Sequence, residues 1–239
     1  MNDKEKDIQD RALAFARKNK KAIAKRLTHT GVYPPEENPV SVFMAGSPGA
    51  GKTEASIELL ESLRTSEDWP VLRVDPDDLR DEFEEYCGDN SWLFQPAVSI
   101  LVEKILDLAF KHHQSFLLDG TLANPDLAAR NIERSLRKRR FVQILYVYQD
   151  PLLAWRFVQA REKAEGRNIR REDFIAQYFA ARDVVNGLKA RFGRDVSVDL
   201  LTKNMDGSGR SYKANIDRID NHVPEKYTPE SLEKALFER

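Results

Sequence analysis

Gly46-Ser47-Pro48-Gly49-Ala50-Gly51-Lys52-Thr53 is the stretch on which the fold of this chain turns. It fits G-x-x-x-x-G-K-[ST], a pattern whose residue types follow from the needs of phosphate binding. Glycines let the backbone curl so that successive N–H groups point at phosphate oxygens. A helix that starts at the loop adds its positive N-terminal end. Lys52 would reach the β- and γ-phosphates of a nucleotide, and the Thr53 hydroxyl would ligate Mg²⁺. All eight residues are therefore expected to form a nucleotide site.

The flanks meet the two conditions this loop requires. Val40-Ser41-Val42-Phe43-Met44-Ala45 is an apolar run of strand length, and Thr53–Arg64 reads as a helix. Further out, Val71–Val74 predicts a second strand, Pro96–His112 a helix and Ser115–Leu118 a third strand. Asn124 caps the next helix, with Pro125 in its first turn, where a missing N–H is harmless. Phe141–Tyr148 is a fourth strand, Asp150-Pro151 starts a helix through Glu165, and Val196–Leu201 is a fifth strand. Strands alternating with helices predict an α/β fold, a parallel sheet of about five strands with helices on both faces. Residues 1–33 form a separate N-terminal segment in this reading. Its first 28 residues are a charged amphipathic helix, and Pro34–Pro39 is a stiff polar break before the main domain, 34–239. Near the end, Asp206–Gly209 is a turn, Arg210–Ile219 a hairpin strand, and Thr228-Pro229 the start of a last helix through Phe237.

Composition narrows the partners. The chain has 239 residues, 41% hydrophobic and 32% charged, which is ordinary for a globular domain with one sizeable core. A formal net charge of −1 provides no global field to draw nucleic acid, so nucleic acid is not an expected partner. The single cysteine, Cys87, cannot form an intrachain disulfide, which suits a reducing compartment. No run approaches the ~18 apolar residues of a membrane span, and the N-terminal MNDKEKDIQD lacks a signal-like core. The cytoplasm is the expected address.

A phosphate loop alone names no reaction. Thr202-Lys203-Asn204-Met205 is not the Asn-Lys-x-Asp guanine reader, and Asp119-Gly120-Thr121 is not an Asp-x-x-Gly switch loop, so a GTPase switch is disfavoured. A kinase needs a base beside the acceptor hydroxyl and cations around the migrating phosphoryl group. Asp77 is the first candidate base, with Asp75 second, because both follow a strand at the edge where open parallel sheets bind ligands. Asp119 ends the third strand and could orient Mg²⁺ or bind substrate. Arg161 and Arg167 belong to an arginine-dense helix end and loop that could close as a lid over about 161–174. Glu103 sits in a mostly apolar helix and faces either solvent or a pocket.

Taken together these residues resemble the zeta toxin family of bacterial P-loop kinases. GSPGAGKT at 46–53, VDPDDLR at 74–80, Glu103 followed by LLDGT at 117–121, and Arg161 with Arg167 carry the resemblance, over about Val40 to Phe174. It implies a nucleotide-kinase fold and ATP or GTP with Mg²⁺ as donor. It also implies, as acceptor, the 3′-hydroxyl of the amino sugar in UDP-N-acetylglucosamine. Lys52 would stabilise phosphates, Thr53 and Asp119 would serve the metal, Asp77 would be the base, and Arg161 and Arg167 would clamp the transferring group. Asp75, Glu103, Asp119 and Thr121 would line the acceptor side. A small antitoxin in trans is the partner the family implies, or residues 1–28 could inhibit in cis. Asp119 is one methylene shorter than the glutamate the family tends to have. Rival readings are a kinase for another metabolite or a dinucleotide cofactor, and a nucleotide-dependent switch with slow hydrolysis.

Overall fold

The computed structural model describes residues 1–64, 70–166, 169–203, 210–223 and 226–237. Its sheet has six strands: β1 (Val40–Ala45), β2 (Leu72–Val74), β3 (Phe116–Leu118), β4 (Phe141–Tyr148), β5 (Val196–Lys203) and β6 (Arg210–Lys213). They lie in the order β2-β3-β1-β4-β5-β6. The first five are parallel, and β6 pairs antiparallel with β5. The expected hairpin strand is thus confined to Arg210–Lys213, and the expected turn at 206–209 lies outside the described residues. Central β1 is buried on both faces, which is why its sequence is a continuous apolar run. Phe43 and Ala45 join the main core, while Val42 and Met44 face a smaller cluster with Ala50 and Ala55.

Seven α-helices cover the sheet among the described residues: α1 (Asp3–Leu27), α2 (Lys52–Arg64), α3 (Ser91–Lys111), α4 (Pro125–Arg137), α5 (Pro151–Glu165), α6 (Arg171–Phe192) and α7 (Pro229–Phe237). The anticipated caps are present: Asn124 accepts from Leu127 N at 3.0 Å, and Asp150 from Leu152 N at 3.0 Å.

Two helices depart from the sequence reading. α3 begins at Ser91, so Pro96 lies inside it rather than at its start. Proline there removes one backbone bond and costs about 3 kcal/mol. Full burial of Leu93 and Phe94, worth about 1.5–3 kcal/mol each, outweighs that. α6 has no counterpart in the expectations. It packs against α4, α7 and β5, and buries both Arg182 and Lys189 along with its apolar residues. Arg182 donates to Val223 O at 2.7 Å and Lys189 to Val196 O at 2.8 Å, so neither buried charge lacks a partner.

α1 lies along α3. Ala12, Ala16, Ile23 and Ala24 enter the main core, the Phe15 and Phe83 rings are 5.4 Å apart, and Arg11 donates to Glu85 at 2.7 and 2.9 Å. The apolar face of α1 is thus packed on α3. A satellite core of Trp155, Phe174, Ile175, Leu232 and Leu236 joins α5, α6 and α7.

Candidate functional site

The phosphate loop connects buried β1 to α2, and its glycines have φ of 132° (Gly46), 72° (Gly49) and 79° (Gly51). L-residues rarely adopt these angles. Space forbids a side chain too. A Cβ on Gly46 would overlap the carbonyl of Val147 at the end of β4, and one on Gly49 the carbonyl of Ala154 in α5. The loop is therefore held between β4 and α5. Lys203, at the end of β5, donates to Gly51 O at 2.9 Å and adds a third clamp. Sequence reading passed over Lys203. Its position at the end of a late strand, on the ligand edge, was the available signal.

Lys52 donates to Ser47 O at 2.7 Å and Gly46 O at 3.1 Å, folded back onto its own loop. Burial pulls its ammonium pKa down to about 8, against the pull of Asp119, Asp77 and Asp75 and with a smaller downward push from Arg161. A partly buried cation bonded to loop carbonyls suits a phosphate ligand. The charged form is the one that meets phosphate, so nucleotide binding above pH 8 takes up a proton. Affinity is then expected to fall about tenfold per pH unit as pH rises past 8. Isothermal titration in buffers of different ionisation enthalpy checks this, and pH-independent affinity between 7 and 9.5 would refute it.

Across the crevice, β2 and β3 end in Asp75 and Asp119. Arg73 spans them. Its guanidinium pairs with Asp75, with Asp119 at 2.7 Å and with Asp78 at 3.1 Å, and donates to Ser56 Oγ at 3.2 Å. The single Ser56 hydroxyl proton lies between Asp119, at 2.9 Å, and Thr53 O, at 2.8 Å, tying Asp119 to the helix that follows the loop. Asp75 also accepts from the backbone N–H of Asp77 at 2.8 Å. Burial, reinforced by Asp119 and Asp77, still pushes the Asp75 carboxyl up to about 6. Asp77, at the start of the 3₁₀ turn Asp78–Glu82, pairs with Arg80 and is the more exposed of the two. Arg73 was not anticipated. Its alternation with buried Leu72 and Val74 placed it on the other face of β2, and nothing local marked it as a bridge.

The remaining candidates fall differently. Thr121 O accepts from Gly46 N at 3.3 Å, which sets the segment after Asp119 against the loop. Arg161 is exposed near the end of α5, and its charge reaches Lys52. Arg167 lies outside the described residues. Gly166 ends α5 with φ 71°, and Arg171 already begins α6, so the connection at the expected lid is short. Glu103 lies on the exposed face of α3, 3.9 Å from Arg130 of α4. Among the described residues no group of three or more His, Cys, Asp or Glu is disposed to hold a metal. Among the same residues no helix is long and apolar enough to cross a membrane.

No curated protein sequence matches the chain. A solved structure from the PezAT chromosomal toxin–antitoxin system of Streptococcus pneumoniae is similar over 91% of this chain and 94% of that one, with TM-score 0.65 and 18% identity. The AvrRxo1-ORF1:-ORF2 complex with ATP is similar over 86% of this chain and 65% of that one, with TM-score 0.58 and 15% identity. The same complex with sulphate ions gives TM-score 0.60 at 14% identity, over 90% and 70% of the two chains. Identities this low show a shared fold. The family model for Zeta toxin matches residues 23–217, most of the chain and all of the crevice described above, and so the chain belongs to the zeta toxin family.

Proposed function

We propose that this protein is a kinase that moves the γ-phosphoryl group of ATP or GTP, with Mg²⁺, onto a hydroxyl of a small molecule. Its leading acceptor is the 3′-hydroxyl of the amino sugar in UDP-N-acetylglucosamine. The observation that carries the reading is the carboxylate pair Asp75 and Asp119, bridged by Arg73 and tied through Ser56 to the helix that follows the phosphate loop. A switch that only hydrolyses nucleotide has no need of a second carboxylate wall facing the phosphates. In this reading the glycine loop and Lys52 hold the phosphates. Asp77 accepts the proton of the attacking hydroxyl, being the more exposed carboxylate, while Asp75 is enclosed by Arg73 and the Asp77 N–H. Arg161, with Arg167, neutralises charge on the phosphoryl group in flight. Thr53 and Asp119 would hold Mg²⁺, which would supply positive charge to offset the phosphates.

Family membership and fold support action as a toxin restrained by an antitoxin in trans. Solved neighbours from toxin–antitoxin and two-component complexes agree with that. One observation favours a different acceptor. Asp119 is one methylene shorter than a glutamate and is bonded to Arg73, so its carboxylate reaches less far toward the acceptor side. Another metabolite or a dinucleotide cofactor is the second reading.

Purified protein with Mg²⁺ and γ-labelled ATP or GTP, offered UDP-N-acetylglucosamine and then a metabolite extract, separates these. Label on the sugar nucleotide supports the first acceptor, label elsewhere supports the second, and phosphate release alone sinks the kinase reading. In the same assay Asp77→Asn is expected to slow transfer by about 10²–10⁴-fold with nucleotide affinity intact. Near-wild-type transfer by that variant would remove Asp77 from the base role.

A further inference from the structure

A second basic concavity lies at the opposite edge of the sheet from the phosphate loop. α3 ends at Lys111, shortly before β3 starts at Phe116, and α4 ends at Arg137, shortly before β4 starts at Phe141. β1, β3 and β4 are parallel, so both helix ends lie beside the strand beginnings. The phosphate loop follows the far end of six-residue β1, about 20 Å away. Between the helix ends is a cavity of about 560 Å³ lined by Lys111, His113, Arg134, Arg137 and Lys138 around Phe110. That volume is within the range of small-molecule sites.

The charges do not cancel locally. The one carboxylate in the lining, Asp107, pairs with Arg134 and lies 3.4 Å from Lys104. Among the described residues, Lys111, Arg137 and Lys138 form no ion pair with a carboxylate. Cations at helix C-termini have an ordinary use, which is to complement the helix dipole. Two helix ends supply only about one negative charge in all. Four cations against Asp107 and that one charge leave a surplus of about two. Arg134 is also held in place, stacked 4.8 Å above the Phe110 ring, so its fork is pre-positioned rather than waving in solvent.

The backbone adds an independent sign. Both helices close with matching turns, Gln114 N to Ala109 O at 3.0 Å and Arg140 N to Ser135 O at 3.2 Å. The left-handed position of such a turn is ordinarily glycine. Here it is His113, at φ 55°, and Arg139, at φ 56°. Both ends keep a cationic or titratable side chain where glycine would be unstrained, and the His113 side chain thereby lines the cavity.

We propose that this cavity is a binding site for a small phosphate-rich anion, of the di- or triphosphate class, separate from the phosphate loop. The cations converge on one concavity instead of forming a stripe, and the chain's net charge is −1, so a small ligand fits better than a nucleic-acid backbone. The test uses full-length protein saturated with Mg²⁺ and a non-hydrolysable ATP analogue, titrated with inorganic tripolyphosphate by calorimetry. One further binding event per chain is expected. It should weaken about tenfold in Arg137→Gln/Lys138→Gln and vanish in Arg137→Glu/Lys138→Glu. Both positions are exposed, and both variants should unfold and transfer phosphate like the parent. No second event, or one that neither variant moves, overturns the proposal. So does binding of a single-stranded oligonucleotide in place of tripolyphosphate. Because the readout is binding at a site away from the loop, it stands or falls apart from the kinase reading.

Discussion

Lys52→Met is expected to lower phosphoryl transfer by about a thousandfold, the loss typical when a fixed charge aimed at the developing transition state is removed. The same change is expected to make the nucleotide-free protein more stable at neutral pH. Burial holds the Lys52 pKa at about 8, below its ordinary 10.5, so the folded state carries a penalty for the charged amine. A shift of that size corresponds to about 3 kcal/mol. Loss of the bonds to Gly46 and Ser47 carbonyls returns part of it, at about 1 kcal/mol each. A net gain of about 1–2 kcal/mol at pH 7 follows. The penalty is full below pH 8 and fades as pH rises toward 10.5, so the gain should shrink on that limb. Urea unfolding at pH 7 and pH 9.5 measures it beside the transfer assay. A variant that keeps transfer, or is less stable at pH 7 than at pH 9.5 relative to the parent, contradicts this account.

Gly49→Ala should be a strongly damaging single methyl group. Its Cβ would meet the carbonyl oxygen and carbon of Ala154, which are backbone atoms of α5 and cannot swing away. The left-handed φ of 72° costs an L-residue about 1–2 kcal/mol, and forced displacement of packed backbone typically 1–3 more. A loss of about 2–5 kcal/mol is a large part of a domain's stability. The urea midpoint should drop accordingly and nucleotide affinity with it. Gly187→Ala is the contrast: a Cβ there meets nothing within 4 Å inside α6, and stability should rise by about 0.5–1 kcal/mol. Equal midpoints for the two variants would mean that the loop is not clamped as described.

Much of this was readable in the chain because the signals were local. The glycine loop, the strand before it and the caps at Asn124 and Asp150 each involve residues within a turn of one another. What could not be read depends on distant partners. Pro96 looked like a helix start because proline suits the first turn, yet burial of Leu93 and Phe94 extended α3 past it. α6 escaped notice because it packs on several sides, and Arg182 and Lys189, polar in sequence, are inside with backbone carbonyls as partners. Arg73 and Lys203 belong to the same class: their roles exist only once Asp119 and Gly51 have been brought alongside. Glu103 was open between pocket and solvent in sequence, and the helix phase put it beside Arg130.

The three clamps on the phosphate loop have a consequence for the order in which the protein comes into being. Gly46 through Lys52 leave the ribosome early, but the carbonyls of Val147 and Ala154 and the amine of Lys203 come much later, the last 152 residues after Gly51. At a translation rate of about 5–20 residues per second, that interval is about 8–30 s. Throughout it the nascent chain carries the loop without the walls that shape it. A nucleotide pocket assembled so late leaves the growing chain without a finished phosphate site until Lys203 has been made.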